Sequence, residues 1–231
     1  GLYNTGVPLG SVICFTFFGR MGELWGWRFP ILLTGSYSLI TSILFLTSYR
    51  SPSPQEREIR KPIGIHKSLK EMGLTIWFVG LSWLWFNAAF TSFATFAPNL
   101  FLQRGYTIEE IGLLIAIPLL GSLLFSAPVG YLVDRFKHQE WFIGTGAIAL
   151  AILTLCFNFS SSFPLLVILM GIFSAMIPAP IYSLPPAILE PANVGLGFGV
   201  ISTCSSIGLF VAPYFVGKTR DLTGTNSGSF F

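Results

Sequence analysis

Charge is what this sequence has least of. Only 10% of its 231 residues are Asp, Glu, Lys or Arg, against about 25% in soluble domains. Such a chain cannot cover a water-facing surface, which excludes a soluble globular domain. Cysteine is scarce too. Cys14, Cys156 and Cys204 all sit in apolar runs, which speaks against a disulfide framework and for small buried hydrophobes. His66 and His138 stand alone in or beside loops; no second ligand lies at metal spacing, so no metal and no cofactor is expected. There is no Gly-x-Ser-x-Gly and no Ser or Cys with a plausible base in an apolar run, so catalysis has no support. The net charge of +3 is no nucleic-acid signal. No basic segment precedes the first apolar run, so no signal peptide is read. The sequence opens at Gly1 and stops at Phe231 in mid-pattern, as a piece of a longer polytopic protein would.

What is abundant is apolar sequence. Residues of the AVILMFWYC set make up 52%, with 23 Phe. Charge-free stretches run over 1–19, 29–49, 72–103, 111–133, 141–189 and 191–217. A membrane-crossing helix needs about 20 apolar residues. The 141–189 run is too long for one crossing and breaks at Asn158-Phe-Ser-Ser-Ser-Phe-Pro164. Seven spans follow, near 2–22, 29–49, 74–99, 107–133, 141–158, 163–188 and 196–216, with 224–231 as the entry to an eighth. The fold class is therefore all-α, a polytopic transmembrane helical bundle truncated at both ends. The segment 50–71 holds Pro52, Pro54, Pro62 and nine charges. It reads as a solvent-exposed linker with a short surface helix around 66–72. Lys and Arg near span ends number eight on the side of this linker and five on the other, which makes the linker side cytoplasmic.

Gly-x-x-x-acid recurs at Gly19–Glu23, Gly130–Asp134 and Gly217–Asp221, at the ends of the first, fourth and seventh spans. A unit of three spans that reverses side each time is the inverted repeat of many secondary transporters. Chance placement of 24 Gly and 10 acids in 231 positions gives about one such match, and four occur.

Four local features resemble the major facilitator superfamily. They are the Gly26-Trp-Arg-Phe29 turn, the charged linker, Gly130-Tyr-Leu-Val-Asp134-Arg135, and Gly217-Lys-Thr-Arg-Asp221-Leu-Thr-Gly224. The resemblance covers the whole chain and maps its spans onto that family's helices five to eleven. It implies three parts: 1–49, the last two helices of the N-terminal bundle; 50–72, the central cytoplasmic loop; and 73–231, the C-terminal bundle with an incomplete last helix. It also implies a gating role for Gly130, Asp134, Arg135, Gly217 and Asp221. The loop motif departs from the family's pattern by continuing Phe136-Lys137-His138. An Asp at a cytoplasmic helix end can accept hydrogen bonds from a neighbouring helix N-terminus, here 193–195. The Gly-Phe-Gly at 197–199 resembles members that carry small organic or inorganic anions, cyanate-like ions among them.

Polar residues inside spans usually face the bundle or a water-filled cavity. Trp83, Asn87 and Thr91 step by four along the third span, and Ser122 and Ser126 along the fourth. Ser174, Pro178 and Tyr182 do so along the sixth, and Ser202 and Ser206 along the seventh. Asn4 lies in the first. Serine and threonine often bond their own helix, whereas an amide in hydrocarbon must find partners. Asn87, Trp83, Thr91, Tyr182, Ser202 and Ser206 are the expected solute contacts. Pro178, Pro180, Pro185 and Pro186 must disturb the sixth span, as at many transporter binding sites, and the resemblance implies that Pro8 bears on bending of the first. The phosphate-loop-like 212–219 stretch ends a span instead of following a strand and is rejected. No ionisable residue sits at mid-span, so a proton carrier or a cation for an anionic substrate would come from helices outside this sequence.

The resulting expectation is a multi-pass transporter of the cytoplasmic cell membrane, moving a small solute by alternating access. Its partners are that solute, the lipid bilayer and, as a candidate coupling ion, the proton; nucleic acid is not among them. The alternatives are drug or metabolite efflux through a cavity with Trp83, Trp85, Phe86 and Phe90, and a non-transporting membrane sensor of the same fold.

Overall fold

In hydrocarbon every backbone amide and carbonyl must be satisfied within the protein, which leaves the helix as the solution for apolar stretches of this length. The computed structural model describes residues 2–49, 69–70, 72–157 and 162–223, with 2–8, 220 and 223 as backbone only. Among these residues there are helices and turns and no strand. Of the expected surface helix at 66–72 only 69, 70 and 72 are described, the first two helical; the linker from 50 to 68, with His66, residues 158–161 of the expected break and the tail lie outside the described residues, as do the side chains of Asn4 and Pro8.

The described helices are α1 (Leu2–Trp25), α2 (Arg28–Ser48), α3 (Gly73–Gln103), α4 (Ile108–Phe136), α5 (Gln139–Cys156), α6 (Phe163–Ser174), α7 (Pro178–Ile188) and α8 (Val194–Thr223). Among the described residues six segments are long and apolar enough to cross a membrane: Arg28–Ser48, Gly73–Gln103, Ile108–Phe136, Gln139–Cys156, Phe163–Ile188 and Val194–Thr219. The first expected span is a 24-residue helix as well; it carries Arg20 and Glu23 near its end and does not count among the six.

The sixth expected span is two helices. Pro178 and Pro180 have no N–H, so the carbonyls of Ser174 and Met176 lose the amides four residues on. The ladder stops at Ser174 and restarts at Pro178. Loop chemistry sets the ends of α4. The Thr107 hydroxyl accepts from the Glu110 amide at 3.3 Å while the Thr107 amide donates to the Glu110 carboxylate at 2.8 Å, a capping box. At the other end Lys137 adopts φ 56° and its amide closes onto the Val133 carbonyl at 2.9 Å.

Packing divides into two layers of contact. The most extensive pairing is α3 with α8, followed by α4 with α6 and α1 with α4. Small residues make these approaches close. A Cβ added at Gly121 would lie 2.5 Å from the Gly171 Cα, joining α4 to α6. One at Gly80 would meet the Cys204 sulfur at 2.9 Å, and one at Gly208 would meet the Leu84 carbonyl, joining α3 to α8. One core gathers Phe93, Phe101, Phe157 and Phe163 with Leu166, Val167 and Met170. Phe101 and Phe163 sit 5.3 Å apart and Arg104 lies over the Phe163 ring at 5.4 Å. A second core joins Ile76, Val79 and Trp83 of α3 to Ile181 of α7 and to Val200 and Ile201 of α8.

The α1–α2 hairpin meets the other helices chiefly through α1. Its side chains are largely exposed, with only Pro30 buried in α2. Thr34, Thr41 and Thr47 return their hydroxyls to carbonyls three and four residues back, so α2 presents no unpaired threonine hydroxyl to its surroundings.

Candidate solute site

The break between α6 and α7 lies beside a run of aromatic rings. Trp83 stacks on Phe86 at 5.2 Å between centroids, and Phe86 is followed by Phe90 at 6.3 Å. On its other side Trp83 meets the Tyr182 ring at 5.4 Å and 75°, and Tyr182 stacks on Phe198 at 6.3 Å. Residues 83, 86 and 90 are one face of α3, while Tyr182 comes from α7 and Phe198 from α8. The helical period of 3.6 aligns the first three.

Asn87 shares this neighbourhood. It is half-buried, and its Nδ2 donates to the Trp83 carbonyl at 2.7 Å. That contact uses one of the amide's two donated hydrogens and leaves its oxygen. Thr91 is half-buried one turn further along. A cavity of about 30 Å³ opens nearby, lined by Phe86, Ala89, Phe90, Pro118, Leu150, Thr154, Met170 and Ser174. That is room for about two water molecules. Its hydroxyls are committed to backbone: Thr154 donates to Leu150 O at 2.8 Å, and Ser174, buried, donates to Gly171 O at 3.0 Å and Pro118 O at 3.3 Å. The last of these bridges α6 and α4.

The structure brings Trp83 and Tyr182 into contact, bonds Asn87 to the Trp83 carbonyl, sets Thr91 a turn beyond Asn87 on α3, and leaves Ser202 and Ser206 elsewhere. Val200, Cys204 and Gly208 are the α8 face packed on α3, and positions 202 and 206 fall about 200° around the helix from it. Both serines are exposed, and the Ser206 hydroxyl donates to the Ser202 carbonyl at 3.0 Å. Sequence reasoning passed over Phe198, half-buried in the Gly-Phe-Gly stretch. The signal was available: a ring between two glycines on a span that also carries serines.

The motif residues sit at helix ends. Asp134 and Arg135 are exposed in the last turn of α4 and form no ion pair among the described residues. Gly130 faces open space. Gly217 packs toward the Phe96 ring, 3.6 Å from the Cβ it lacks, and Asp221 is exposed. Asn193, which precedes α8 on the same side as Asp134, is 7% exposed. Its backbone closes the turn onto Glu190 O at 2.8 Å. No group of three or more His, Cys, Asp or Glu among the described residues could hold a metal ion.

Comparison with known proteins places this architecture. The chain is 26% identical over 260 residues to the putative metabolite transport protein NicT of Pseudomonas putida, covering 97% of this chain and 58% of that one. It is 22% identical over 256 residues to the hexuronate transporter of Bacillus subtilis, covering 100% of this chain and 60% of that one. A putative tartrate transporter of Agrobacterium vitis is 24% identical, with 100% and 59% covered. The chain thus spans about 60% of the length of these relatives. A bacterial homologue of the human lysosomal transporter Spinster, solved inward-facing and unoccupied, superposes with a TM-score of 0.60 at 19% identity, covering 99% of this chain and 60% of that one. The sequence profile of the Major Facilitator Superfamily matches residues 84–227, well over half of the chain. With six apolar spans in a helical bundle of that fold, this chain is a multi-pass membrane protein and belongs to the major facilitator superfamily, a family of transporters and not of enzymes.

Proposed function

We propose that the chain is the greater part of a secondary transporter that carries a small solute across the cell membrane by alternating access. The observation that carries this reading is the broken α6–α7 pair, with Trp83, Asn87, Thr91 and Tyr182 beside it. Interrupted helices at mid-membrane supply unpaired carbonyls and a bend, the usual make-up of a transporter binding site. In this account Trp83 and Tyr182 provide a ring surface, and Asn87 its remaining amide hydrogen-bonding capacity. Ser202 and Ser206 line the route from another face. Gly130, Asp134, Arg135, Gly217 and Asp221 belong to the gates. Residues 1–49 are the end of one bundle, 50–72 the connection and 73–231 the other bundle.

Tartrate and hexuronate, named for two of the relatives, are both small organic anions, and this supports an organic anion as the solute. The apolar ring surface supports a second reading, export of a hydrophobic solute. Counterflow uptake separates the two. Full-length protein in proteoliposomes is preloaded with unlabelled solute and offered labelled organic acids and hydrophobic cations at two pH values. Exchange of an organic acid supports the first reading, and its pH dependence proton coupling; exchange of a hydrophobic cation supports the second. No exchange of any solute by well-folded protein counts against transport.

A further inference from the structure

Of the six tryptophans, Trp25, Trp27, Trp77, Trp85 and Trp141 are exposed, and Trp83 is 8% exposed. It stands ten residues into α3, about 15 Å along the helix axis, in a hydrocarbon layer about 30 Å thick. A buried indole N–H normally finds an acceptor, and a donor left without one costs stability. Among the described residues the Trp83 N–H has no acceptor. Its carbonyl is taken by Asn87. Its ring contacts are Phe86, stacked at 13°, and Tyr182, tilted at 75°, and a ring is a weak acceptor beside an oxygen. Asn87, one turn on, keeps a second amide hydrogen after its bond to the Trp83 carbonyl. Among the described residues nothing accepts that hydrogen either. We propose that the Trp83 Nε1–H and the spare Asn87 N–H are a pair of neutral donors that takes one carboxylate of the solute. This part of the site then selects organic acids over hydrophobic cations.

The chemistry of the pair carries that choice. An indole N–H donates and cannot accept. A solute relieves it only by bringing an acceptor, and a hydrophobic cation without one leaves it unpaired. A site built to hydrogen-bond its solute rejects an analogue that lacks the matching group for this reason. Positions four apart on a helix hold their Cβ atoms about 5–6 Å from one another, and a carboxylate offers about four lone-pair sites on two oxygens, enough for donors from adjacent turns. Bonds to a charged acceptor are stronger than neutral ones, and water-poor surroundings strengthen them further. Water is the poorer occupant, because a buried water needs two to four polar partners and the wall here is largely aromatic. The inference rests on the transporter reading for its purpose and narrows it to one class of solute.

The test uses the full-length protein in nanodiscs, with the indole nitrogens of its tryptophans labelled with nitrogen-15. Trp83→Phe identifies the Trp83 signal by its loss. 3-Benzothienylalanine at position 83 keeps a ring of nearly the same shape and replaces only the N–H, by sulfur. Acetate, tartrate and glucuronate are the carboxylate probes, and tetraphenylphosphonium is the cation. At least one carboxylate should move the Trp83 N–H proton downfield, as hydrogen bonding does. The sulfur variant should bind that probe about ten- to 150-fold more weakly, the range for a bond to a charged group, and should bind the cation as the parent does. It should melt at or slightly above the parent temperature, since it loses an unpaired donor. A Trp83 signal already downfield without probe, or a sulfur variant that melts well below the parent, would show that the N–H has a partner and overturn the pair. So would equal carboxylate binding by variant and parent. Exchange of an organic acid by a protein whose Trp83 signal never moves would overturn the pair and keep the transporter reading. A carboxylate-dependent shift in a protein that exchanges no solute would keep the pair and overturn transport.

Discussion

The indole of Trp83 and the ring of Tyr182 meet edge to face at 5.4 Å, joining α3 to the far side of the α6–α7 break. Spaced 99 positions apart in sequence, they are the contact at the centre of the proposed solute site. Edge-to-face pairs contribute about 0.5–1.5 kcal/mol beyond their buried area. Trp83→Ala should therefore destabilise the bundle by at least that amount, and in the proposed site it should also raise the KM for the transported solute. Tyr182→Phe keeps the ring and should leave the fold unchanged, so any fall in its uptake measures the hydroxyl alone. Initial uptake rates across solute concentration check both.

Asn87 should separate binding from stability. Its contact with the Trp83 carbonyl lies within one helix, so Asn87→Ala should change the melting temperature in detergent little while reducing uptake. Equal uptake by the variant and the parent would remove Asn87 from the site.

The Gly121–Gly171 contact leaves no room for a methyl group. Gly121→Ala forces α4 and α6 apart and should destabilise the bundle by about 1–3 kcal/mol. Gly144→Ala in α5, where nothing lies within 4 Å, should be neutral or slightly stabilising. Thermal melts of the two variants side by side distinguish a packing effect from a general intolerance of substitution.

Ser174 ties α6 to α4 just before the break through its bond to the Pro118 carbonyl. Hydrogen bonds between membrane helices average about 0.6 kcal/mol, so Ser174→Ala should cost about that much. A loss several times larger would show that the hydroxyl supports more than this bond.

Much of this was legible in the sequence. Stretches free of charge located the spans, because lipid tolerates few charges wherever it meets protein. The four prolines between 178 and 186 announced a disturbance in the sixth span, since a missing N–H is a local fact. Asn87 and Tyr182 were singled out as expected solute contacts by their polarity, and spacing by four put Trp83, Asn87 and Thr91 on one face of a helix. What periodicity could not reveal is which neighbour each face meets. Ser202 and Ser206 share a face as expected, but it is turned from the α3 contact, a choice made by Gly208 and Val200. Phe198 was passed over as a contact although it stands between two glycines on a span that also carries serines. Partners 56 positions apart, such as Ser174 and Pro118, leave no pattern in a single sequence.

The central claim is that the region around Tyr182 opens to the two sides of the membrane in turn. The most direct measurement is labelling of Tyr182→Cys in full-length protein lacking its native cysteines, with a membrane-impermeant maleimide applied from one side or the other. The account predicts labelling from each side, with one rising as the other falls when the equilibrium is shifted, and protection of both by the transported solute. Labelling confined to one side under every condition, or unaffected by any solute that the protein exchanges, would contradict it.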